Sequence, residues 1–191
     1  MNERGKLIVL SAPSGGGKST VIKEILRRRH DFSYSVSCTT RPIRYYEVDG
    51  VHYHFLTEEE FQRRVVAGRF LEWEEVHDNF YGTDRDIIEA SLAAGKNILL
   101  DIDVNGGEAL QEVFPESVLI FLYPPSVEEL RNRLKARGAD NEASIEKRLA
   151  RYPMEKKKGD AYPYKIVNND LETTVGEVLK IIEEHSEKGQ G

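Results

Sequence analysis

Leu7-Ile8-Val9-Leu10-Ser11-Ala12-Pro13-Ser14-Gly15-Gly16-Gly17-Lys18-Ser19-Thr20 decides the fold. Four consecutive apolar residues read as a strand buried on both faces, and the glycines after them open directly into a helix. Between strand and helix stands the pattern G-x-x-x-x-G-K-[ST], complete except that Ala12 replaces its first glycine. Three glycines let main-chain N–H groups curl around phosphate oxygens at a helix N-terminus. Lys18 is expected to reach the β- and γ-phosphates of a nucleotide and the Ser19 hydroxyl to ligate Mg²⁺. Pro13, Ser14, Gly15, Gly16, Gly17 and Thr20 complete the cradle.

Outward from this loop, residues 98–100, 118–123 and 164–167 read as further buried parallel strands. Helices separate them. One covers residues 84–94 and ends at Gly95; another opens with Ser126 and Glu129 as a capping box; the last turns Leu171, Val175, Val178, Leu179 and Ile182 inward. Alternating strands and helices predict an α/β fold, a P-loop core with a parallel sheet flanked by helices. From about residue 32 to 83 the rhythm breaks. Residues 33–37 alternate, 51–55 are β-prone, Thr57 and Glu60 cap a short helix, and 70–76 with 79–81 reads as a hairpin. Residues 126–160 are helical and rich in arginine. The expected division is a core of 1–34, 84–125 and 161–191, a β-rich lobe of 35–83 and a helical lid of 126–160. Proline in a helix interior removes a hydrogen bond and clashes with the preceding turn, so Pro153 is expected to stop the lid helix near Arg151 and leave 153–163 as loop.

Composition bounds the partners. The 191 residues carry 27 Lys and Arg against 33 Asp and Glu, a net charge of −6 that does not suit a nucleic-acid partner. The clusters Arg27-Arg28-Arg29 and Lys156-Lys157-Lys158 read as solvated surfaces. Cys38 is the single cysteine, so neither an intrachain disulfide nor a thiolate zinc cluster is available. No apolar run approaches a membrane span, and residues 7–10 are too short for a signal peptide, so a cytoplasmic protein is expected. Monomer and homodimer both stay open.

Phosphate loops serve many reactions, and the residues around them choose among these. Asp101 ends the strand before it, the position of a carboxylate that supports Mg²⁺, commonly through water; a strand-end or capping aspartate is the other reading. Asp103-Val104-Asn105-Gly106 spells the D-x-x-G of GTPases, but Asn168-Asn169-Asp170 is not the N-K-x-D that reads guanine there. Arg41, Arg44, Arg133, Arg137 and Arg148 lie in or beside the two insertions, with Arg133 and Arg137 on one helix face. Planar guanidinium forks suit phosphate oxygens and would offset the repulsion of two phosphates brought together. Each arginine taken alone could equally be a surface ion pair.

With these residues in view, the chain resembles the guanylate kinases. The resemblance rests on residues 11–20 and 35–44, on Glu47-Val48-Asp49-Gly50-Val51-His52-Tyr53, Phe70-Leu71-Glu72-Trp73 and Tyr81-Gly82-Thr83. Leu100-Asp101-Ile102-Asp103, Pro124-Pro125-Ser126, Arg133, Arg137 and residues 144–148 extend it over nearly the whole chain. Ala12 is a variant known within that resemblance. It implies a P-loop core, a GMP-binding lobe and a helical lid, with ATP and GMP as partners, and transfer of the γ-phosphoryl of ATP to GMP. It implies that Glu72 accepts from N1–H and N2–H₂ of guanine, with the Ser37 and Thr83 hydroxyls donating to the acceptor edge. Arg41, Arg44, Tyr53 and Tyr81 would hold the GMP phosphate, with Asp101 and Asp103 also at the substrate. Arg44, Arg137 and Arg148 would clamp the transferring group, and Arg133 and Asn168 would border ATP. The acceptor is a phosphate oxygen already ionised at neutral pH, so no general base is required.

Three other readings compete: a binding module of the same shape without activity, a GTPase, and a kinase for another nucleoside monophosphate. Lys18, Ser19 and the arginines disfavour the first and the missing guanine motif the second. Glu72 with Ser37 decides against the third.

Overall fold

The computed structural model describes residues 4–76, 78–136 and 141–188. Its centre is a parallel sheet of β1 (Leu7–Ser11), β2 (Phe32–Tyr34), β7 (Asn97–Asp101), β8 (Val118–Tyr123) and β9 (Tyr164–Val167), in the order β2-β7-β1-β8-β9. β1 lies in the middle, with Val9 facing Leu100 on one side and Leu119 on the other. Its five residues are all buried, which is why it reads as an unbroken apolar run rather than an alternating one.

The two faces of the sheet take alternate residues of these strands. Ile8, Leu10 and Ile120 pack against Val21, Ile22 and Ile25 of α1 (Lys18–Arg28) and Val175, Val178 and Ile182 of α7 (Leu171–Lys188). Val9, Leu100 and Phe121 pack against Ile88 and Leu92 of α3 (Arg85–Ala93) and Leu110 of α4 (Val104–Val113). Helices on both faces of a parallel sheet are the α/β architecture expected from the sequence.

A second sheet of four strands, ordered β4-β3-β6-β5, holds β3 (Cys38–Thr39), β4 (His54–Phe55), β5 (Phe70–Val76) and β6 (Asn79–Asp84). The β5–β6 hairpin is the one read from sequence, whereas of the alternating residues 33–37 only Ser33 and Tyr34 are strand, in β2 of the core sheet, and β3 begins after them at Cys38. Val51 and His52 form a turn, Tyr53 makes an isolated bridge to Asp49, and only His54 and Phe55 of the β-prone run pair as a strand. α2 (Glu58–Val66) sits on this sheet, capped by the Thr57 hydroxyl on Glu60 N–H, and its Phe61 stacks on Phe70 at 4.4 Å between ring centres.

α5 (Val127–Ala136) and α6 (Glu142–Gly159) pair around Leu130, Leu134, Ile145 and Leu149. Here one expectation fails. α6 does not stop near Arg151 but continues through Pro153 for nearly two further turns, so most of 153–163 is helix. Tertiary contacts outweigh the lost bond. Gly159 presses on the Phe121 ring, where an added Cβ would lie 2.6 Å from ring carbons. Lys158 pairs with Glu108 at 2.8 Å, and Tyr123 donates to Asp160 just beyond the helix end. Among the described residues no helix is long and apolar enough to cross a membrane.

Candidate active site

The phosphate loop runs from the end of β1 into α1, and Gly17 is the N-cap of α1 at φ 88°. A side chain there is excluded twice: the conformation is left-handed, and its Cβ would meet Asn168 Nδ2 at 2.4 Å. Asn168 is 6% exposed; its Nδ2 donates to Gly16 O at 2.7 Å and its Oδ1 accepts from Thr174 at 3.1 Å. The side chain expected to border ATP therefore braces the loop from behind. Arg133 donates to Asn168 O at 2.9 Å and pairs with Glu129, so it stands beside the loop on the same support.

Lys18 turns to the strand next door. Its Nζ lies 2.7 Å from Asp101 Oδ1 and donates to Ile102 O at 2.8 Å. Ser19 Oγ donates to Asp101 Oδ2 at 3.3 Å. Parallel pairing of β1 with β7 sets this up, because both strands end at the same level and deliver loop and carboxylate to one edge. Asp103, two residues on, is the N-cap of α4, accepting from Asn105 N–H and Gly106 N–H at 2.8 and 2.9 Å.

Two clefts meet at the loop. The smaller, about 440 Å³, is lined by residues 12–20 with Arg133 and Ala136. The larger, about 670 Å³, shares Ala12, Ser14 and Lys18 with it and opens towards the second sheet and the lid. Ser37, Arg41, Arg44, Tyr53, Glu72, Tyr81, Asp101, Asp103 and Arg148 all line the larger cleft. Arg148 reaches back across it to donate to Ser14 Oγ at 2.7 Å. Arg137 lies outside the described residues.

Thr83, expected at the substrate, is fully buried and is not among the residues lining the larger cleft; it donates its hydroxyl proton to Glu72 Oε1 at 2.6 Å. The sequence reading aimed that proton at a base; the structure gives it to the carboxylate, which is thereby oriented. Burial pushes the Glu72 carboxyl above its ordinary range; the Thr83 hydroxyl and Lys18 oppose this, while Asp103 adds to it. Arg41 is held in a two-pronged pair by Glu47, at 2.7 and 3.0 Å, with its guanidinium 5.5 Å from the Tyr53 ring centre. Tyr53 and Tyr81 meet edge to face at 6.0 Å. Arg44 donates to the Tyr46 hydroxyl at 3.0 Å.

Sequence reasoning assigned no role to Glu47, Glu74, Arg151 or Glu155. Glu74 follows Glu72 by two positions on a strand and so shares its face, a signal that was legible. It lines the larger cleft, and burial together with Asp103 and Glu72 pushes its carboxyl up to about 7. Glu47 accepts the Arg44 main-chain N–H as well as Arg41, which fixes the loop between them. Glu155 falls on the part of α6 expected to be loop, and Arg151 at the point where the helix was expected to stop.

The model of the family described as guanylate kinase matches residues 4–185. A guanylate kinase of Symbiobacterium thermophilum is 46% identical over 179 residues, covering 94% of this chain and 85% of its own. One from Thermotoga maritima is 44% identical over 179 residues, with 94% and 86% covered. Among solved structures, the guanylate kinase from Anaplasma phagocytophilum superposes with a TM-score of 0.78 at 36% identity, covering 95% of this chain and 86% of that one.

Proposed function

We infer the roles of individual residues from one premise: the chain belongs to the guanylate kinase family and transfers a phosphoryl group from ATP to GMP. ATP occupies the smaller cleft, its phosphates on the main-chain N–H groups of residues 14–20, bordered by Arg133, with Asn168 holding the loop from behind. GMP occupies the larger one in the lobe of 35–83, and the lid of 126–160 closes over both. The observation that carries this is the place of Lys18, on the wall common to both clefts. A cation there touches donor and acceptor phosphates alike, which a purely binding site would not need.

Glu72 reads guanine. Thr83 holds one of its oxygens, and guanine offers two adjacent donors to the carboxylate, which favour the ionised form that burial opposes. Adenine would put a lone pair against the same oxygens. Ser37 completes the base site, and Arg41, Arg44, Tyr53 and Tyr81 hold the acceptor phosphate. Arg44, Arg148 and Arg137 neutralise charge as the phosphoryl group moves. The attacking oxygen already carries charge, so alignment and neutralisation suffice, and water is excluded as lobe and lid approach.

Ser19 and Asp101 fit Mg²⁺. Their oxygens stand 3.3 Å apart beside the phosphate loop, and both are hard donors suited to an ion that arrives with phosphates. When bound with ATP, the ion would supply charge neutralisation between the β- and γ-phosphates. The free nucleotides it uses suit a cytoplasmic enzyme.

The test is ADP formation from ATP and Mg²⁺ with GMP, dGMP, AMP, UMP or no acceptor. GMP-dependent turnover with little from AMP or UMP is the expected result. ADP release indifferent to the acceptor would overturn the assignment of the larger cleft.

A further inference from the structure

Two arginines reach the larger cleft from the loop after β3, and they are held in opposite ways. Arg41 is gripped by Glu47 at 2.7 and 3.0 Å, so its charge is already matched by a carboxylate. Arg44 has no ion pair among the described residues; its Nη1 donates instead to the Tyr46 hydroxyl at 3.0 Å.

The backbone makes that contact possible. Glu47 N–H donates to Arg44 O at 2.9 Å and closes a four-residue turn with Tyr45 and Tyr46 at its centre. Glu47 also accepts the Arg44 N–H at 2.8 Å, so the main chain of Arg44 is fixed on both sides. The two central rings meet edge to face at 5.1 Å, and the second brings its hydroxyl to Arg44. Tyr45 is fully exposed and Tyr46 54% exposed, so neither ring fills a core.

A neutral partner acts differently from a carboxylate. A carboxylate would hold the guanidinium and also cancel the charge that an incoming phosphate must meet. A phenol oxygen accepts one N–H, limits the rotamers of a long side chain and leaves the positive charge in place. The remaining N–H donors stay available for phosphate oxygens. Ordering a flexible arginine before its ligand arrives also removes part of the entropy cost of binding.

We propose that Tyr46 is a positioning residue for the acceptor phosphate: its hydroxyl holds the Arg44 guanidinium beside the larger cleft without neutralising it. This rests on the reading of that cleft as the GMP site and of Arg44 as a phosphate contact. Tyr46 is not among the residues lining the cleft and acts through Arg44.

The experiment compares Tyr46→Phe, Arg44→Ala and the double variant with the full-length parent. Binding of GMP and of guanosine is measured by calorimetry, and kcat, KM and melting temperature are measured for each protein. Phenylalanine keeps the ring and removes only the hydroxyl of a half-exposed side chain, so the melting temperature should hold. Tyr46→Phe is expected to weaken GMP binding and kcat/KM for GMP about three- to tenfold, the scale of one long side chain left unordered. Guanosine, which has no phosphate, should bind as it does to the parent, and the KM for ATP should not change. In the Arg44→Ala background the loss of the hydroxyl should cost nothing further. Unchanged GMP binding in Tyr46→Phe, an equal loss for guanosine, or additive losses would overturn the inference while leaving the role of Arg44 intact. Unchanged GMP binding and turnover in Arg44→Ala would instead remove that role, and this inference with it.

Discussion

The two clefts are built from different materials. The smaller is a single stretch of main chain, residues 12–20, with Arg133 and Ala136 at its rim. The larger is assembled mainly from side chains on β2, β5, β6, α6 and the loops after β2, β3 and β7. Main-chain N–H groups bind phosphate whatever the side chains around them, so the donor site is local, rigid and indifferent to detail. The acceptor site exists only once four distant segments have folded together. A site assembled in this way has the side chains with which to discriminate between bases.

The contrast is broken most directly at the residue that belongs to both clefts. Lys18→Ala should lower kcat by about a thousandfold or more, since charge stabilisation of a transferring phosphoryl group is carried by few groups. The loop conformation rests on Gly17 and Asn168, so circular dichroism and melting should stay near those of the parent. Substantial residual turnover in steady-state assays would mean the wall between the clefts is not where transfer occurs.

A side-chain site should fail at one end only. Glu72→Gln turns one of the two acceptor oxygens towards guanine into a donor, and kcat/KM for GMP should fall about a hundredfold or more. ATP affinity, measured by calorimetry without GMP, should be unchanged. Equal losses on both substrates would dissolve the distinction between the clefts.

The same contrast explains what could be read from sequence. The P-loop is contiguous, so its glycines, Lys18 and Ser19 declared both the fold and a phosphate site. The core strands were legible because burial on both faces writes an unbroken apolar run. Thr83 illustrates what a list of residues hides: its identity suggested a hydrogen bond, but only the pairing of β5 with β6, which sets Glu72 opposite Thr83, says that the partner is a carboxylate. Glu155 was hidden for another reason. Proline's local preference was read as a helix stop, and packing of Gly159 on Phe121 overrode it. An end to α6 near Arg151 leaves out the turn that carries Glu155.

That override sharpens the comparison on the lid side. Pro153→Ala restores the missing donor to Leu149, and unfolding in urea should show a gain of about 1–2 kcal/mol, less than the full propensity difference because the helix has relaxed around the ring. ATP affinity should not respond. A destabilised Pro153→Ala would show that the proline is fitted to its surroundings rather than tolerated by them.

The smallest effect separates the clefts by pH. Glu74 titrates at about 7 instead of near 4.5, first because it is buried and then because Asp103 and Glu72 crowd it. A carboxyl raised in the folded state binds its proton more tightly there than in the unfolded chain. Its contribution is therefore fully present below about 4.5 and is lost as pH rises to about 7, after which it is constant. Glu74→Gln cannot ionise and should be the more stable protein at pH 8, by no more than about 1 kcal/mol for a half-exposed group. The two proteins should converge towards pH 4.5. Carboxylates held low by arginine partners, such as Glu47 and Asp31, act in the opposite sense and at lower pH, and they cancel when variant and parent are compared. An incoming acceptor phosphate meets the same repulsion. Above pH 7 the KM for GMP should therefore rise more in the parent than in Glu74→Gln, while the KM for ATP, set by main chain, should not distinguish them. A difference that appeared in ATP instead would place Glu74 against the donor, and the larger cleft would no longer be the acceptor's alone.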